Sequence, residues 1–432
     1  MSSASPSPDV AVVGLGRVGL PLALSFADRG LTVLGIDRDA ERLEAVAAGR
    51  MPFQETGADE LIARVHAARR LAVSARVADA AQADAIVLTL GTPSFSHIEI
   101  DMRDIRAALD DLLPHLRAGH TIVLRSTVAP GTTDFVAGYL ERQRGLRAGV
   151  DVHVAHVPER IATGKFLQEI DTLPCIVGAV AGGGVDSGQH VARVFEAFDA
   201  PIVQTTPVQA ELAKIWANIL RYTHFALPNL LMMDCEQYGA NVFEVIDLIN
   251  RDYPRGGIAQ PGFTAGTCLR KDFTFSEERS NAPGMLLAVS RVNESVPHFL
   301  VQGMKRRSPE QTLNGRKVAV LGLAFKGDTD DERDSLAHKL IRLLERELAD
   351  VAVHDPVVAS PTQPLEEALH EANVVVVAAN HAAFEPAATR AAIGALAAPD
   401  CLVVDPWNHL GSGQVFAFAD ELIPLGIEVR RS

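Results

Sequence analysis

The sequence predicts an α/β fold with two doubly wound parallel sheets in separate domains, joined by a helical middle domain. Three observations predict it: a strand–helix–strand pattern opens the chain, a second begins near residue 317, and the pattern between them is helical. The segments VAVVGLG at 10–16 and VAVLGLA at 318–324 resemble each other. Each is followed by a helix and a strand that ends in an acid, Asp37 or Asp355. We interpret them as an internal repeat of two Rossmann-like domains.

The 432 residues exceed what one ordinary hydrophobic core supports, so we expect several domains. A Gly-free stretch from Ala210 to Gln237 predicts a long helix, in which Pro228 predicts a kink or an early break. The Ser/Pro-rich N-terminus predicts local disorder. The expected segments are the disordered N-terminus at 1–8, the first sheet domain at 9–206, the helical middle domain at 207–308 and the second sheet domain at 309–432.

Composition and charge exclude several classes of protein. The net charge of −14 argues against nucleic-acid and anionic-membrane partners, since both attract basic surfaces. No apolar run approaches the ~20 residues of a membrane span, and the N-terminus lacks the basic and apolar regions of a secretory signal. The four cysteines are widely spaced and the 14 histidines form no HExxH motif, so we expect neither disulfides nor a metal site. We therefore expect a cytoplasmic protein.

The first strand ends in a dinucleotide-binding fingerprint. Gly14, Gly16 and Gly19 form the pattern G-x-G-x-x-G between a strand and a helix. The first glycine permits the tight turn, the second admits the pyrophosphate, and the third lets helix and sheet pack closely. The helix N-terminus attracts the phosphates. Asp37 can accept hydrogen bonds from the adenosine ribose and repels a 2′-phosphate, which favours NAD over NADP, although Arg38 beside it weakens that preference.

A cysteine stands in a loop that suits covalent chemistry. Cys268 lies in PGFTAGTCLRKD at 261–272, among glycines that allow a ligand to approach the backbone. Arg270 and Lys271 beside it favour the thiolate, which is the reactive form. A buried structural cysteine on a glycine-rich turn explains the same local sequence equally well. Both interpretations stay open on these residues alone.

The ordered motifs of the chain resemble those of the UDP-glucose/GDP-mannose dehydrogenase family from about Val10 to Asn408. The PERI form at 158–161 is similar to the branch that acts on UDP-N-acetylhexosamines rather than on UDP-glucose. The motifs are GLGRVGLPLA at 14–23, GTPSFSHIEIDM at 91–102, RSTVAPGTT at 125–133, VPERIATGK at 157–165, AELAKIWANI at 210–219, PGFTAGTCLRKD at 261–272, VNESVP at 292–297 and GLAFKGDTDDERDS at 322–335.

The resemblance implies an NAD-dependent oxidation of the C6 hydroxymethyl group of a UDP-linked sugar to a carboxylate. One NAD+ takes the alcohol to an aldehyde, which Cys268 captures as a thiohemiacetal. A second NAD+ leaves a thioester, and water releases the acid. Uridine is the favoured base.

The resemblance also implies supporting roles for residues outside the cysteine loop. Lys214 and Asn218, spaced one helical turn apart, are implied to stabilise the oxyanion. Without the motif, the two would be interpreted as a solvated helix face. Glu159 is implied to orient or activate water, and Thr127 and Asp272 to hold the water network. Thr127 could instead cap the helix that follows it.

The same resemblance implies an NAD-binding surface and a UDP-sugar-binding surface. It also implies a homodimer, with the helical middle domain as the interface and Arg255 reaching the partner's substrate. The second sheet domain is implied to bind UDP, because Lys and Arg suit diphosphate oxygens. The implied NAD contacts are Gly14, Gly16, Arg17, Val18, Gly19, Asp37, Arg38, Thr92, Pro93, Ser126 and Thr127. The implied UDP-sugar contacts are Glu159, Arg160, Lys214, Asn218, Arg255, Gly262, Phe263, Gly266, Phe325, Lys326 and Arg333.

Two residues beside the cysteine depart from related sequences. Thr267 stands where Ser, Pro or His is usual, and Arg270 stands where the side chain is usually apolar or small. These departures leave room for an unusual sugar. Two other functions stay open: a two-electron dehydrogenase that would not need Cys268, and a non-catalytic protein that binds NAD or a nucleotide sugar.

Overall fold

A computed structural model describes most of the chain, in two compact units. The first unit contains the described residues up to Ala217 and a short segment that starts at Thr274. The second unit contains the rest. The described residues are 7–91, 103–182, 186–264, 266–277 and 284–422, without the side chains of Thr267 and Glu277.

The first unit is built on an eight-stranded sheet in the order β3-β2-β1-β4-β5-β6-β7-β8. Neighbouring strands are parallel except for β6 and β7, which pair antiparallel. The predicted parallel sheet is therefore confirmed, with β7 and β8 as an extension that the sequence pattern did not predict. The strands are β1 Val10–Val13, β2 Val33–Ile36, β3 Leu71–Ser74, β4 Ala85–Leu88, β5 Thr121–Leu124, β6 His153–His156, β7 Cys175–Ala179 and β8 Ile202–Thr205.

Helices cover both faces of this sheet, because its central strands are apolar on both sides. Val10 and Val12 of β1 belong to one hydrophobic core, and Ala11 and Val13 belong to the other. This alternation follows from the two-residue period of a strand. The helices are α1 Gly19–Asp28, α2 Ala40–Ala47, α3 Ala58–Ala68, α4 Arg103–Leu112, α5 Thr132–Arg144, α6 Phe166–Glu169 and α7 Ser187–Phe195.

Four helices make up the middle of the chain. Pro228 lies inside the first of them without ending it, so the predicted early break is wrong. The helix continues because Met232 and Cys235, beyond the proline, are buried in a hydrophobic core of the second unit, and tertiary packing outweighs local propensity. None of the described helices combines the length and apolarity needed to cross a bilayer. The four are α8 Pro207–Tyr238, α9 Val242–Asn250, α10 Thr267–Glu277 and α11 Met285–Arg307.

The second unit contains a five-stranded sheet in the order β10-β9-β11-β12-β13, parallel except for the last pair. Val318 and Val320 face a core shared with the middle helices, and Ala319 and Leu321 face the opposite core. The second doubly wound sheet is therefore confirmed. Its elements are β9 Lys317–Leu321, α12 Leu336–Arg346, β10 Asp350–His354, α13 Leu365–Leu369, β11 Val374–Val377, α14 Pro386–Leu396, β12 Leu402–Val404, β13 Phe416–Phe418 and α15 Ala419–Leu422.

Candidate functional site

The glycine loop after β1 has the shape that a dinucleotide requires. Gly14 has φ of 96°, a conformation that side chains disfavour. A Cβ on Gly19 would lie 1.8 Å from the carbonyl oxygen of Gly14, whereas a Cβ on Gly16 would meet no atom within 4 Å. The backbone at Gly16 is therefore open to a ligand, and the loop fits a pyrophosphate. Arg17 stacks over the ring of Phe53, with 5.1 Å between guanidinium carbon and centroid.

Asp37, at the end of β2, is tied to this loop. Its carboxylate accepts hydrogen bonds from the backbone N–H groups of Leu15 at 2.7 Å and Asp39 at 3.0 Å, and from Arg42 at 2.9 Å. Although burial opposes ionisation, these hydrogen bonds hold the pKa of Asp37 below its ordinary value. The Arg38 side chain is 88% exposed. An ionised acid at this position fits NAD.

The remaining predicted NAD contacts lie in two places. Val18 directly precedes α1. Ser126 and Thr127 follow β5, where the Ser126 hydroxyl donates to the backbone oxygen of Leu90 and Thr127 is half-buried. Two predicted contacts lie outside the described residues: Thr92 and Pro93.

Glu159 forms a buried ion pair in the first unit. Nη2 of Arg125 lies 2.7 Å from its Oε2, and the backbone N–H of Ile161 donates to its Oε1 across 2.8 Å. The side chains of Glu159 and Arg125 are 9% and 5% exposed. Arg160, which lies between Glu159 and Ile161 in sequence, is exposed. Sequence reasoning missed Arg125, because its partner lies 34 residues away.

His156, the last residue of β6, is a second buried group that the motifs did not single out. Its Nε2 lies 3.1 Å from the backbone oxygen of Ser126. Burial, together with the positive charges of Arg125 and Lys214, lowers the pKa of His156 to about 4 despite the hydrogen bond to Ser126. The ring is therefore neutral near pH 7 and donates to Ser126. The predicted Lys214 lies close enough to act on it electrostatically.

Glu211 anchors the helix that carries Lys214. This side chain is fully buried and accepts from the N–H of Gly131 at 2.7 Å, and from the N–H and hydroxyl of Thr133 at 2.8 and 2.6 Å. It therefore caps the N-terminus of α5 from another element. Burial raises the pKa of Glu211 despite these hydrogen bonds. Its position three residues before Lys214 was the one signal that the sequence offered.

Cys268 is exposed, unlike the other three cysteines. Cys175 is half-buried and Cys235 and Cys401 are buried, and burial raises the pKa of each, that of Cys401 to about 12. Cys268 lies in the first turn of α10, where free N–H groups and the positive end of the helix dipole favour an anion. These differences favour the reactive interpretation of Cys268 over the structural one.

Asp272, one turn after Cys268 on α10, is bonded to Asn218. The amide Nδ2 of Asn218 donates to Oδ2 of Asp272 across 2.5 Å, and Nζ of Lys271 lies 3.9 Å from Oδ1. Asp272 is fully buried. The second unit therefore holds three predicted catalytic residues on two helices, while Lys214, Glu159 and Thr127 belong to the first unit.

The cysteine loop contacts the loop predicted to bind the nucleotide. A Cβ on Gly266 would lie 2.8 Å from the ring of Phe325, so only glycine permits this approach. Arg333 makes two hydrogen bonds to Asp331, of 2.8 and 2.7 Å. The hydrogen bond and the charge of Asp331 raise the pKa of Arg333, and Cys268 lies close enough to contribute electrostatically.

The other predicted substrate residues differ in how far their side chains are exposed to solvent. The N–H of Gly262 donates to Asn229 across 2.9 Å, and Phe263 is buried in the core at 3% exposure. Arg255 is exposed and stacks over Tyr253, with 4.8 Å between guanidinium carbon and centroid. Lys326, beside Phe325, is half-buried.

Arg270 is held by carboxylates rather than aimed at the sulfur. Its Nε donates to Glu294 across 2.5 Å, and its Nη1 lies 3.5 Å from a carboxylate oxygen of Asp334. Lys339 also binds Glu294, at 3.0 Å. The positive charge of Arg270, expected from the sequence to act on Cys268, is thus partly neutralised by these carboxylates.

Family models match all three parts of the chain. The NAD binding domain of the UDP-glucose/GDP-mannose dehydrogenase family matches residues 8–199, its central domain 208–295 and its UDP binding domain 319–412. The chain is 32% identical over 384 residues to the UDP-N-acetyl-D-mannosamine dehydrogenase of Pyrococcus horikoshii, covering 87% of this chain and 90% of the relative. It is 30% identical over 394 residues to an NDP-N-acetyl-D-galactosaminuronic acid dehydrogenase of Ralstonia solanacearum, covering 87% and 91%.

Solved structures agree with these matches. The structure of the UDP-D-ManNAc dehydrogenase of Pyrococcus horikoshii has a TM-score of 0.85 at 30% identity, over 93% of this chain and 95% of that one. A UDP-glucose dehydrogenase of Pyrobaculum islandicum has a TM-score of 0.81 at 29% identity, over 95% and 97%. The chain belongs to the UDP-glucose/GDP-mannose dehydrogenase family and is an NAD-dependent nucleotide-sugar dehydrogenase.

Proposed function

We propose that this enzyme oxidises the C6 hydroxymethyl group of a UDP-N-acetylhexosamine to the uronic acid through a covalent bond to Cys268. The observation that carries the proposal is the exposed sulfur of Cys268 on a helix N-terminus, near Arg333 and beside the Gly266–Phe325 contact. The two sequence relatives named above, from Pyrococcus horikoshii and Ralstonia solanacearum, bear the names of dehydrogenases of N-acetylated sugars, which favours an N-acetyl group at C2 of the sugar.

Each oxidation of the sugar carbon delivers a hydride to NAD+, which is the chemistry that the cofactor supplies. The Cys268 thiolate adds to the carbonyl carbon of the intermediate aldehyde, forming a C–S bond and an alkoxide that is protonated to a thiohemiacetal. The second oxidation converts this carbon to a thioester. Water then adds to the thioester, the C–S bond breaks, and the carboxylate leaves while the thiolate returns.

We assign the other motif residues to the charges that develop. Lys214 stabilises the alkoxide oxygen, and Asn218 adds a donor whose orientation Asp272 fixes through its 2.5 Å hydrogen bond. Glu159 orients the hydrolytic water, with its carboxylate held in place by Arg125 and Ile161. Thr127 supports the same water. These roles rest on the family motifs together with the local contacts of each residue.

We further propose a homodimer through α8. Leu212, Trp216 and Leu220 recur every four residues on one helix face and are 39%, 51% and 55% exposed, an apolar surface that a partner would cover. Arg255 reaches the partner's substrate in this arrangement. Light scattering should give twice the chain mass, and Trp216→Glu should give a monomer. Leu348→Glu, a change at a still more exposed apolar residue of the second sheet domain (67%), should leave the dimer intact.

The decisive test of function is a stoichiometry. The enzyme is incubated with excess NAD+ and limiting UDP-ManNAc, UDP-GlcNAc, UDP-GalNAc, UDP-glucose or GDP-mannose, and NADH absorbance is followed to completion. Two NADH per sugar, fastest with a UDP-N-acetylhexosamine, support the proposal. One NADH per sugar would indicate a two-electron dehydrogenase. Thermal stabilisation by NAD+ and UDP-sugars without any NADH would indicate a binding protein.

A further inference from the structure

The loop that follows β9 is anchored by hydrogen bonds to a fully buried acid, Asp355. Asp355, directly after β10, accepts from the N–H groups of Leu323 at 2.6 Å and Ala324 at 3.2 Å through Oδ2. Its other oxygen accepts from Val357 at 2.8 Å and Val358 at 3.2 Å. Although burial opposes ionisation, the hydrogen bonds it receives hold the pKa of Asp355 well below its ordinary value. The ionised carboxylate of Asp355 is thus a fixed negative charge that the loop packs against.

His381 joins this acid to the far side of the same loop. Its side chain is fully buried, Nε2 lies 3.1 Å from Oδ2 of Asp355, and Nδ1 lies 3.0 Å from the backbone nitrogen of Asp328. Because the Asp328 N–H donates, Nδ1 must accept. The proton therefore sits on Nε2 and is donated to Asp355, so the ring is neutral and in one tautomer.

The residues beside His381 add to the same attachment. Oδ1 of Asn380 accepts from the N–H of Gly327 at 3.2 Å, and the N–H of Ala382 donates to Oδ1 of Asp328 across 2.7 Å. The loop is thus fixed at 323–324 by Asp355 and at 327–328 by the 380–382 segment. Phe325 and Lys326, the predicted nucleotide contacts, lie between these two attachments.

The corresponding acid of the first unit has a different side-chain partner. Asp37 also accepts from the residue after the loop glycine, Leu15, but its side-chain partner is Arg42 on α2. In the second unit that partner is His381, which reaches from the turn after β11 to the loop. The histidine bridge therefore belongs to the unit that matches the UDP binding domain.

We propose that His381 is a positioning residue for nucleotide binding, which holds Phe325 and Lys326 in place through Asp355 and Asp328. The inference rests on the proposed function, since it requires that UDP bind this loop. Removing the bridge takes the His381 side-chain donor from Asp355, whose backbone donors remain, and takes the His381 acceptor from the Asp328 N–H, so the loop samples other conformations. UDP and the UDP-sugar then bind more weakly, whereas NAD+ binding and the chemical step change little.

Calorimetry with UDP and with NAD+ tests this in the full-length enzyme. His381→Ala should raise the Kd for UDP at least about tenfold, a loss of about 1.4 kcal/mol. His381→Asn keeps an acceptor for Asp328 and His381→Gln keeps a donor for Asp355, so each should show a smaller rise. The KM for the UDP-sugar should rise in parallel, while kcat and the Kd for NAD+ stay within about twofold. Should His381→Ala fail to fold, the other two variants decide.

His120→Ala is the matched control, because this fully buried ring of the first unit also accepts from a backbone N–H, that of Arg117 at 3.1 Å, and does not contact the loop. It should lower Tm but leave the Kd for UDP unchanged. Unaltered UDP binding by the His381 variants, or an equal loss in His120→Ala, overturns the inference and leaves the proposed function standing. A wild-type enzyme that does not bind UDP at all overturns both.

Discussion

The Asn218 amide and the Asp272 carboxylate are joined by a hydrogen bond of 2.5 Å inside the second unit. Asp272 is fully buried, and Lys271 lies 3.9 Å from its other oxygen. The chain thus places an amide donor on α8 and an acid on α10, the acid one turn after the cysteine. The pairing fixes which way the Asn218 amide points.

Asn218→Asp should destabilise the protein by about 3–5 kcal/mol at pH 8, because two buried carboxylates cannot both ionise at this distance. The pair would share a proton, so its folded-state pKa would lie above the unfolded value. The folded state would then bind more protons, and stability would rise as pH falls from 8 towards 5. Urea unfolding measures this. Asn218→Ala, which adds no charge, should show no such recovery in acid.

Substitutions at two glycines of the loop after β1 should weaken NAD+ binding for two different reasons. Gly19→Ala forces a Cβ to within 1.8 Å of the Gly14 oxygen, so it should lower the free energy of unfolding by about 1–3 kcal/mol and weaken NAD+ binding. Gly16→Ala meets no protein atom, so it should leave Tm unchanged and weaken NAD+ binding at least about tenfold by blocking the pyrophosphate. Calorimetry and thermal unfolding separate the two, and normal NAD+ affinity in Gly16→Ala would contradict the assigned loop.

His156 should make the free energy of unfolding depend on pH in the acid range. Its pKa is about 4 in the folded state, against an ordinary value near 6.5, so the unfolded chain binds a proton first as pH falls. This residue should cost on the order of 3 kcal/mol of stability between pH 6.5 and pH 4, with no further loss below. His156→Gln keeps a donor for the Ser126 oxygen and should flatten that part of the profile. Identical profiles for the two proteins in urea unfolding would show that the ring is solvated.

Glu211→Gln should impair catalysis without touching a ligand. The amide places a donor where Gly131 or Thr133 already donates, so the contact between α8 and the start of α5 weakens. We expect a lower Tm and a fall in kcat of about tenfold, because Lys214 lies one turn further along α8. Asp234→Asn, at an exposed acid of the same helix, should change neither. A normal kcat in Glu211→Gln would show that this anchor is structural alone.

The repeated fold was predictable because it rests on local patterns. Strand periodicity, the glycine turns and the terminal acids Asp37 and Asp355 all lie within short windows, and the structure shows both acids accepting from the residue after the turn glycine. The extension by β7 and β8 was not predicted, since a short edge strand such as Ile202–Thr205 is half-exposed and lacks a continuous apolar run.

A motif was enough to single out Cys268 as a candidate. The buried contacts around the candidate residues gave no such signal, because the partners are distant in sequence: Arg125 and Glu159 are 34 residues apart, and Asp355 and His381 are 26 apart. A lone buried histidine or arginine gives no local signal of which oxygen it will meet. At Pro228 a strong local signal was misleading, since packing of the flanking helical turns overrides the tendency of proline to end a helix.

Mass spectrometry of an acid-quenched turnover mixture tests the covalent role of Cys268 most directly. With NAD+ and a UDP-N-acetylhexosamine, peptides containing Cys268 should carry the mass of the sugar nucleotide bound as a thioester, and Cys235 peptides should not. Cys268→Ala should form no adduct and lose at least about a hundredfold in uronic acid production. An unmodified Cys268 throughout turnover, with two NADH per sugar still formed by Cys268→Ala, would contradict the covalent mechanism.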